Sequence, residues 1–192
     1  KRVDLLIKAF NKLNLPLMII GDGPERLKLE KISNPNIKFL RKISDKEVEN
    51  YMSRCRAFVY AGIEDFGIAP VEAMASGAPV IAYGKGGILD TVNCFNKKDK
   101  EKVSNGLLFK KQTSEDIIDT ISWFEDKQLW KNFNPKIISE VTQGTNTKFI
   151  VLHKESAFNY YEEKKAVVLY GKYNDARNKP RNISNKCSIF TT

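Results

Sequence analysis

Short apolar runs alternate with segments of helical periodicity from Val3 to Phe124, and this alternation restricts the chain to a sheet built from crossover units. The runs are Leu17-Met18-Ile19-Ile20, Asn36–Leu40, Ala57–Tyr60, Pro79–Tyr83 and Leu107-Leu108-Phe109. Between them, Glu25–Ile32 reads as a helix with Pro24 in its first turn. Ser44-x-x-Glu47 is a capping box that opens a helix over Asp45–Arg54. Ala69–Ala75 is a small-residue helix. Thr113-x-x-Asp116 starts another, carrying Ile117, Ile118, Ile121 and Phe124. Further helices are expected over Pro135–Val141 and Thr147–Lys164. Strands separated by helices predict a parallel α/β sheet with right-handed crossovers and helices on both faces.

The chain opens inside a helix, since Val3, Leu6, Ile7, Phe10 and Leu13 recur on one face. A βαβ unit normally starts with a strand, so the first strand is expected to be missing. The opening Lys1-Arg2-Val3-Asp4 has neither an initiator Met nor an apolar signal region, which reads as a fragment and not as an exported product. At 192 residues, the length suits one domain of about 100–200 residues. No apolar run approaches the roughly 18 residues of a membrane span. Cys55, Cys94 and Cys187 are too scattered for a disulfide framework or a zinc site, which fits a reducing, cytoplasmic compartment. The sequon Asn182-Ile183-Ser184 argues little for secretion.

The net charge of +9 is uneven, because from Lys164 onward seven Lys/Arg face one acid, Asp175. The expected division is therefore a body over residues 1–163 and a basic, flexible tail over 164–192, in which only Val167-Val168-Leu169-Tyr170 carries a strand signal. Such a tail is compatible with peripheral contact at the anionic inner face of a membrane. Nucleic acid is not the expected partner, and binding through the tail would have to be steeply salt-dependent. The lysine-rich stretch Asn93–Ser104 reads as an exposed loop. Trp123, Phe124 and Trp130 are expected in the core, His153 on a late helix as a packing or surface residue, and the late apolar positions Phe149, Val151, Leu152, Phe158, Tyr160 and Tyr161 in packing.

The chemistry concentrates in "EDFGIAPVEAMASG", Glu64–Gly77. Glu64 falls in a strand-to-helix loop and Glu72 in the first turns of the following helix. Gly67 supplies a tight turn, and the N–H groups of Gly67, Ile68 and Ala69 point out of a helix N-terminus, which suits a phosphate. Glu72 is placed to accept hydrogen bonds from paired hydroxyls such as those of a ribose, and Glu64 to hold a sugar hydroxyl. Two acids around a phosphate-attracting helix end describe a nucleotide-sugar pocket. The Glu-x7-Glu spacing alone says little. The strand, the turn and the small-residue helix around it make it specific. Gly21-x-Gly23-Pro24 lacks the third glycine of a dinucleotide fingerprint and reads as a strand-end turn bordering the same cleft.

The stretch "EDFGIAPVEAMASGAPVIAYGKGG" resembles the donor-binding signature of retaining glycosyltransferases of the GT-B fold, family four. "KRVDLLIKAF", "LMIIGDGPERLKLE", "NIKFL", "NGLLF" and "FNPKII" follow the family's order as well, so the resemblance spans about residues 1–160. Within the family the chain is most similar to bacterial GDP-mannose-dependent mannosyltransferases. The resemblance implies two Rossmann-like domains facing across a cleft, of which this chain is the C-terminal one. It implies Glu64 beside the donor sugar and the reacting centre as the catalytic candidate, and Glu72 on the ribose hydroxyls. It places Phe66, Gly67, Ile68 and Ala69 at the turn that holds sugar and diphosphate, Lys1 on the diphosphate, Arg41 and Ile43 around the base, and Gly23 at the cleft border.

No metal or other cofactor is implied. The donor would be a GDP- or UDP-linked sugar, and the acceptor, a glycan or lipid-linked glycan in polysaccharide biosynthesis, would be read by the absent N-terminal domain. Three departures stand out. The family's arginine ahead of Lys1 is absent, Arg41 stands where glycine is usual, and Asp90 stands where "GG-x-x-E" has glutamate. Alternatives are a non-catalytic nucleotide-binding fragment and another GT-B member such as a sugar-nucleotide epimerase. No lysine is placed for the pyridoxal group of a phosphorylase.

Overall fold

The computed structural model describes residues 1–65, 67–95 and 103–142 and the strand Ala166–Tyr170. In chain order the elements are α1 (Val3–Leu13), β1 (Leu17–Gly21), α2 (Arg26–Lys31), β2 (Ile37–Leu40), α3 (Asp45–Arg54) and β3 (Ala57–Tyr60). There follow α4 (Ile68–Ala75), β4 (Val80–Tyr83), α5 (Ile88–Thr91), β5 (Gly106–Phe109), α6 (Ser114–Asp126), a 3-10 turn (Leu129–Asn132) and β6 (Ala166–Tyr170). Residues 135–142 form a further helix, α7.

Each element follows from its residues. α1 buries Val3, Leu6, Ile7 and Phe10, and Asn36 closes its C-terminal end by donating from Nδ2 to the carbonyls of Phe10 and Leu15. α3 has the full capping box: the Glu47 amide donates to Ser44 Oγ, and the Ser44 amide to the Glu47 carboxylate at 3.0 Å. α6 is capped by Thr113, whose Oγ1 accepts from the Asp116 amide. α4 ends in a Schellman turn, with Gly77 N–H on the Met74 carbonyl and Ala78 N–H on the Ala73 carbonyl. β1 and β3 are buried at every position, as strands covered on both faces must be.

The described residues form a six-stranded sheet in the order β2-β1-β6-β3-β4-β5. β1 with β2, β3 with β4, and β4 with β5 are parallel. The α/β fold with helices on both sides of a mainly parallel sheet is as the alternation predicts. α1 packs on α6 and α2, and α3 packs on α4.

Two features differ from expectation. β6 lies antiparallel in the middle of the sheet, paired with β1 from Leu17↔Tyr170 to Gly21↔Ala166 and with β3 at Ala57↔Tyr170 and Phe58↔Leu169. In the sequence these residues fall in the expected flexible tail, because a single apolar run after a charged stretch carries no sign of its pairing partner. Trp123 is 42% exposed, and the core position beside it belongs to Phe124. Trp130 is half-buried under Arg56, whose guanidinium lies 4.6 Å from the ring centroid and 2.9 Å from Glu125. The expected helix over Thr147–Lys164, with His153 and the late apolar residues, lies outside the described residues.

Candidate functional site

In a parallel sheet the loops after the strands gather on one edge, and ligands bind where the strand order reverses. Here that carboxyl edge carries the loops after β1, β2, β3 and β4. Lys1 joins it: its Nζ lies 3.7 Å from Glu64 Oε1, and both side chains are about four-fifths covered. The two stretches of chain run close there, because a Cβ on Gly62 would stand 3.3 Å from the Lys1 Cα and 2.7 Å from the Tyr60 hydroxyl.

The loop bearing Glu64 is fixed from its other side. The Glu64 carbonyl accepts from the Gly87 amide at 2.9 Å. A Cβ on Gly86 would meet that same carbonyl oxygen at 2.6 Å, and Gly86 has φ +81°, so no other residue fits. Gly67, at φ +77°, then turns the chain into α4. α4 has no side-chain cap, and its first intrahelical bond runs from Val71 N–H to the Gly67 carbonyl. The amides of Gly67, Ile68 and Ala69 precede that bond, and such first-turn amides carry the positive end of the helix. Along α4, Pro70, Val71, Ala73, Met74 and Ala75 are buried, whereas Ile68, Ala69 and Glu72 are half-exposed. Glu72 is one turn after Ile68, so the two side chains lie on the same half-exposed stripe of α4.

Lys1 and Glu64 meet at 3.7 Å, and the loop of Glu64 leads into the helix that carries Ile68, Ala69 and Glu72. Arg41 and Gly23 lie exposed and Ile43 half-buried on the same edge, further along it in the loops after β2 and β1. Phe66 lies outside the described residues. Asp90 is exposed on α5.

One residue of the edge escaped the sequence reading. Arg26 donates to the carbonyls of Gly21 at 3.1 Å and Leu40 at 3.4 Å, pairs with Glu30 at 2.7 Å and lies over Phe39. It therefore straps the end of β1 to the end of β2, just ahead of Arg41. A signal was present: a cation in the first turn of a helix opposes the helix dipole and needs another reason to be there. Gly62 and Gly86 carry no such signal, because the sequence does not show which backbones approach.

No cluster of three or more metal-ligating side chains occurs among the described residues. Burial pushes the Cys94 thiol up, the opposite of an activated nucleophile. No helix among the described residues is long and apolar enough to cross a membrane.

Residues 1–141 match the family described as "Glycosyl transferases group 1". An alpha-1,3/1,6-mannosyltransferase of Candida glabrata is 33% identical over 127 residues, which is 64% of this chain and 28% of the relative. The GDP-mannose-dependent alpha-mannosyltransferase of Corynebacterium glutamicum is 33% identical over 94 residues, 48% of this chain and 22% of its own. Among solved structures, sucrose-phosphate synthase of Thermosynechococcus elongatus superposes with a TM-score of 0.64 at 24% identity, covering 83% of this chain and 42% of that one. Anabaena HepE in complex with UDP and glucose gives 0.59 at 22% identity, covering 75% and 40%. The chain spans about a third of the length of the curated relatives it matches.

Proposed function

Because the chain belongs to the group 1 glycosyl transferases, we propose that it supplies the donor-binding half of a retaining hexosyltransferase. The carrying observation is the grouping of Lys1, Glu64 and the uncapped first turn of α4 on the carboxyl edge. In this reading the diphosphate of a nucleotide sugar lies against the amides of Gly67, Ile68 and Ala69, with Lys1 as the counter-charge. As the bond from the anomeric carbon to the phosphate oxygen breaks, negative charge grows on the departing diphosphate. Fixed amide dipoles and an ammonium stabilise that charge without reorganising.

Glu72 accepts hydrogen bonds from the ribose hydroxyls, and Glu64 holds a sugar hydroxyl beside the reacting carbon. The base lies towards Arg41 and Ile43, with Gly23 at the border. A mannosyl donor linked to GDP is favoured over a UDP-linked one, since relatives named as mannosyltransferases recur and one is named for GDP-mannose. The acceptor, a glycan or lipid-linked glycan, is read by an opposing domain, and turnover needs that domain to exclude water from the cleft. The basic residues from Lys164 onward hold the enzyme peripherally at an anionic membrane face.

Calorimetric titration of the chain with GDP, UDP and ADP, and with their common sugar conjugates, tests the donor reading. Binding of one diphosphate that is lost in Glu72→Ala supports it. Failure of all three to bind a chain with intact circular dichroism overturns it.

A further inference from the structure

The loop that carries Glu64 is tied at both ends to loops that follow other strands. The β3–β4 ladder ends at Tyr60↔Ala82, and the next residue, Ala61, is fully buried. A buried carbonyl one residue past a ladder needs a donor from elsewhere. Gln112 supplies it: its Nε2 donates to the Ala61 carbonyl at 2.8 Å. At the other end of the loop the Glu64 carbonyl accepts from Gly87 N–H at 2.9 Å. Gly62, between them, is buried, and the Tyr60 hydroxyl stands 2.7 Å from where its Cβ would be. The backbone leading to Glu64 is thus set from the loop after β5 and from the loop after β4.

Gln112 is itself held. Asp116 Oδ2 accepts from the amides of Lys110 and Lys111, both at 2.7 Å, and the Asp116 amide donates to Thr113 Oγ1 at 3.3 Å. One residue in the first turn of α6 therefore fixes the backbone on both sides of Gln112. Gly84 N–H, on the Phe109 carbonyl at 2.9 Å, ties the end of β5 to the end of β4. From this mount the half-buried Gln112 side chain reaches the end of β3, although β4 lies between β5 and β3 in the sheet.

We propose that Gln112 is a positioning residue of the donor site: its amide holds the Ala61–Glu64 loop and so sets where the Glu64 carboxylate meets the sugar of a bound nucleotide sugar. It acts through the loop and needs no contact with the ligand. The effect on the sugar rests on the donor reading above, and the effect on the loop does not.

The test compares the full chain with Gln112→Ala, Gln112→Met and Gln112→Glu. Met keeps the reach and has no donor, and Glu regains a donor only when protonated, at about pH 4 and below. NMR amide exchange reads Gly87 N–H, the bond at the far end of the loop. Its protection falls at least about tenfold in the Ala and Met variants, and in the Glu variant at neutral pH, while the amides of β3 and α6 keep theirs. At about pH 4 the Glu variant regains protection over the Ala variant at the same pH. In calorimetry with GDP and GDP-mannose, and with UDP and UDP-glucose in parallel, Gln112→Ala moves the Kd of the diphosphate by less than about twofold and removes the affinity that the sugar adds in the parent.

Gly87 protection that is unchanged in Gln112→Ala, or restored in Gln112→Met, overturns the proposal, because the amide donor then holds nothing. An undiminished gain from the sugar in Gln112→Ala overturns it as well. A parent chain that binds no diphosphate overturns the donor reading instead, and the Gly87 measurement then decides on its own whether Gln112 holds the loop.

Discussion

Gly86 decides where Glu64 can be. Its missing side chain leaves room for the Glu64 carbonyl, and its positive φ turns Gly87 N–H onto that oxygen. Gly86→Ala adds a methyl where there is no space and strains the backbone as well, so a loss of about 2 kcal/mol in thermal or denaturant unfolding is expected. Nucleotide binding should weaken with it. Gly23 is the contrast, since a Cβ there meets nothing within 4 Å. Gly23→Ala should leave unfolding unchanged, so any weakening of titrated nucleotide binding reports contact with the ligand. Glu72 sits on the half-exposed stripe of α4. Glu72→Ala is expected to raise the nucleotide Kd at least tenfold, about 1.4 kcal/mol, with the melting curve little moved.

At the scale of elements, what could be read in the sequence was what is local. The capping box of α3, the Thr113 cap of α6 and the strand of four at Ala57–Tyr60 are each set by neighbours in the chain, and all occur where their residues predict. The strand and helix on either side of the Glu64 loop were legible for the same reason, since they follow one another in the chain. The Arg26 strap and the approach of Gly62 to Lys1 join residues 14 or more apart, and nothing in periodicity records them. β6 is the extreme case, since its partner strand β1 lies at the other end of the sequence.

The α3 cap also carries a pH dependence. Hydrogen bonds from the Ser44 hydroxyl and then its amide hold the Glu47 carboxyl below the usual range. A depressed folded value means that the contribution is whole above the ordinary carboxylate pKa and is lost as pH falls through the folded one. Unfolding followed from neutral to acid pH should therefore lose less in Glu47→Gln than in the parent, and Ser44→Ala should cost about 1 kcal/mol at neutral pH.

For the molecule as a whole, charge and topology set the expectations. Most of the excess positive charge lies from Lys164 onward, and the body is close to balanced. Sedimentation with vesicles rich in phosphatidylserine should pull the chain down at low salt and release it as salt rises, while Glu72→Ala binds them equally. Vesicles of phosphatidylcholine alone should not retain it.

The central strand also dictates an order of events during synthesis. The pairs β1–β2 and β3–β4–β5 can each form as they emerge from a ribosome, and among the described residues the strand that joins them is Ala166–Tyr170. Closure links Leu17 to Tyr170, almost the full length of the chain, and such distant pairings form slowly. Until residue 166 has emerged, the described strands form two half-sheets, and open strand edges of that kind are what chaperones bind.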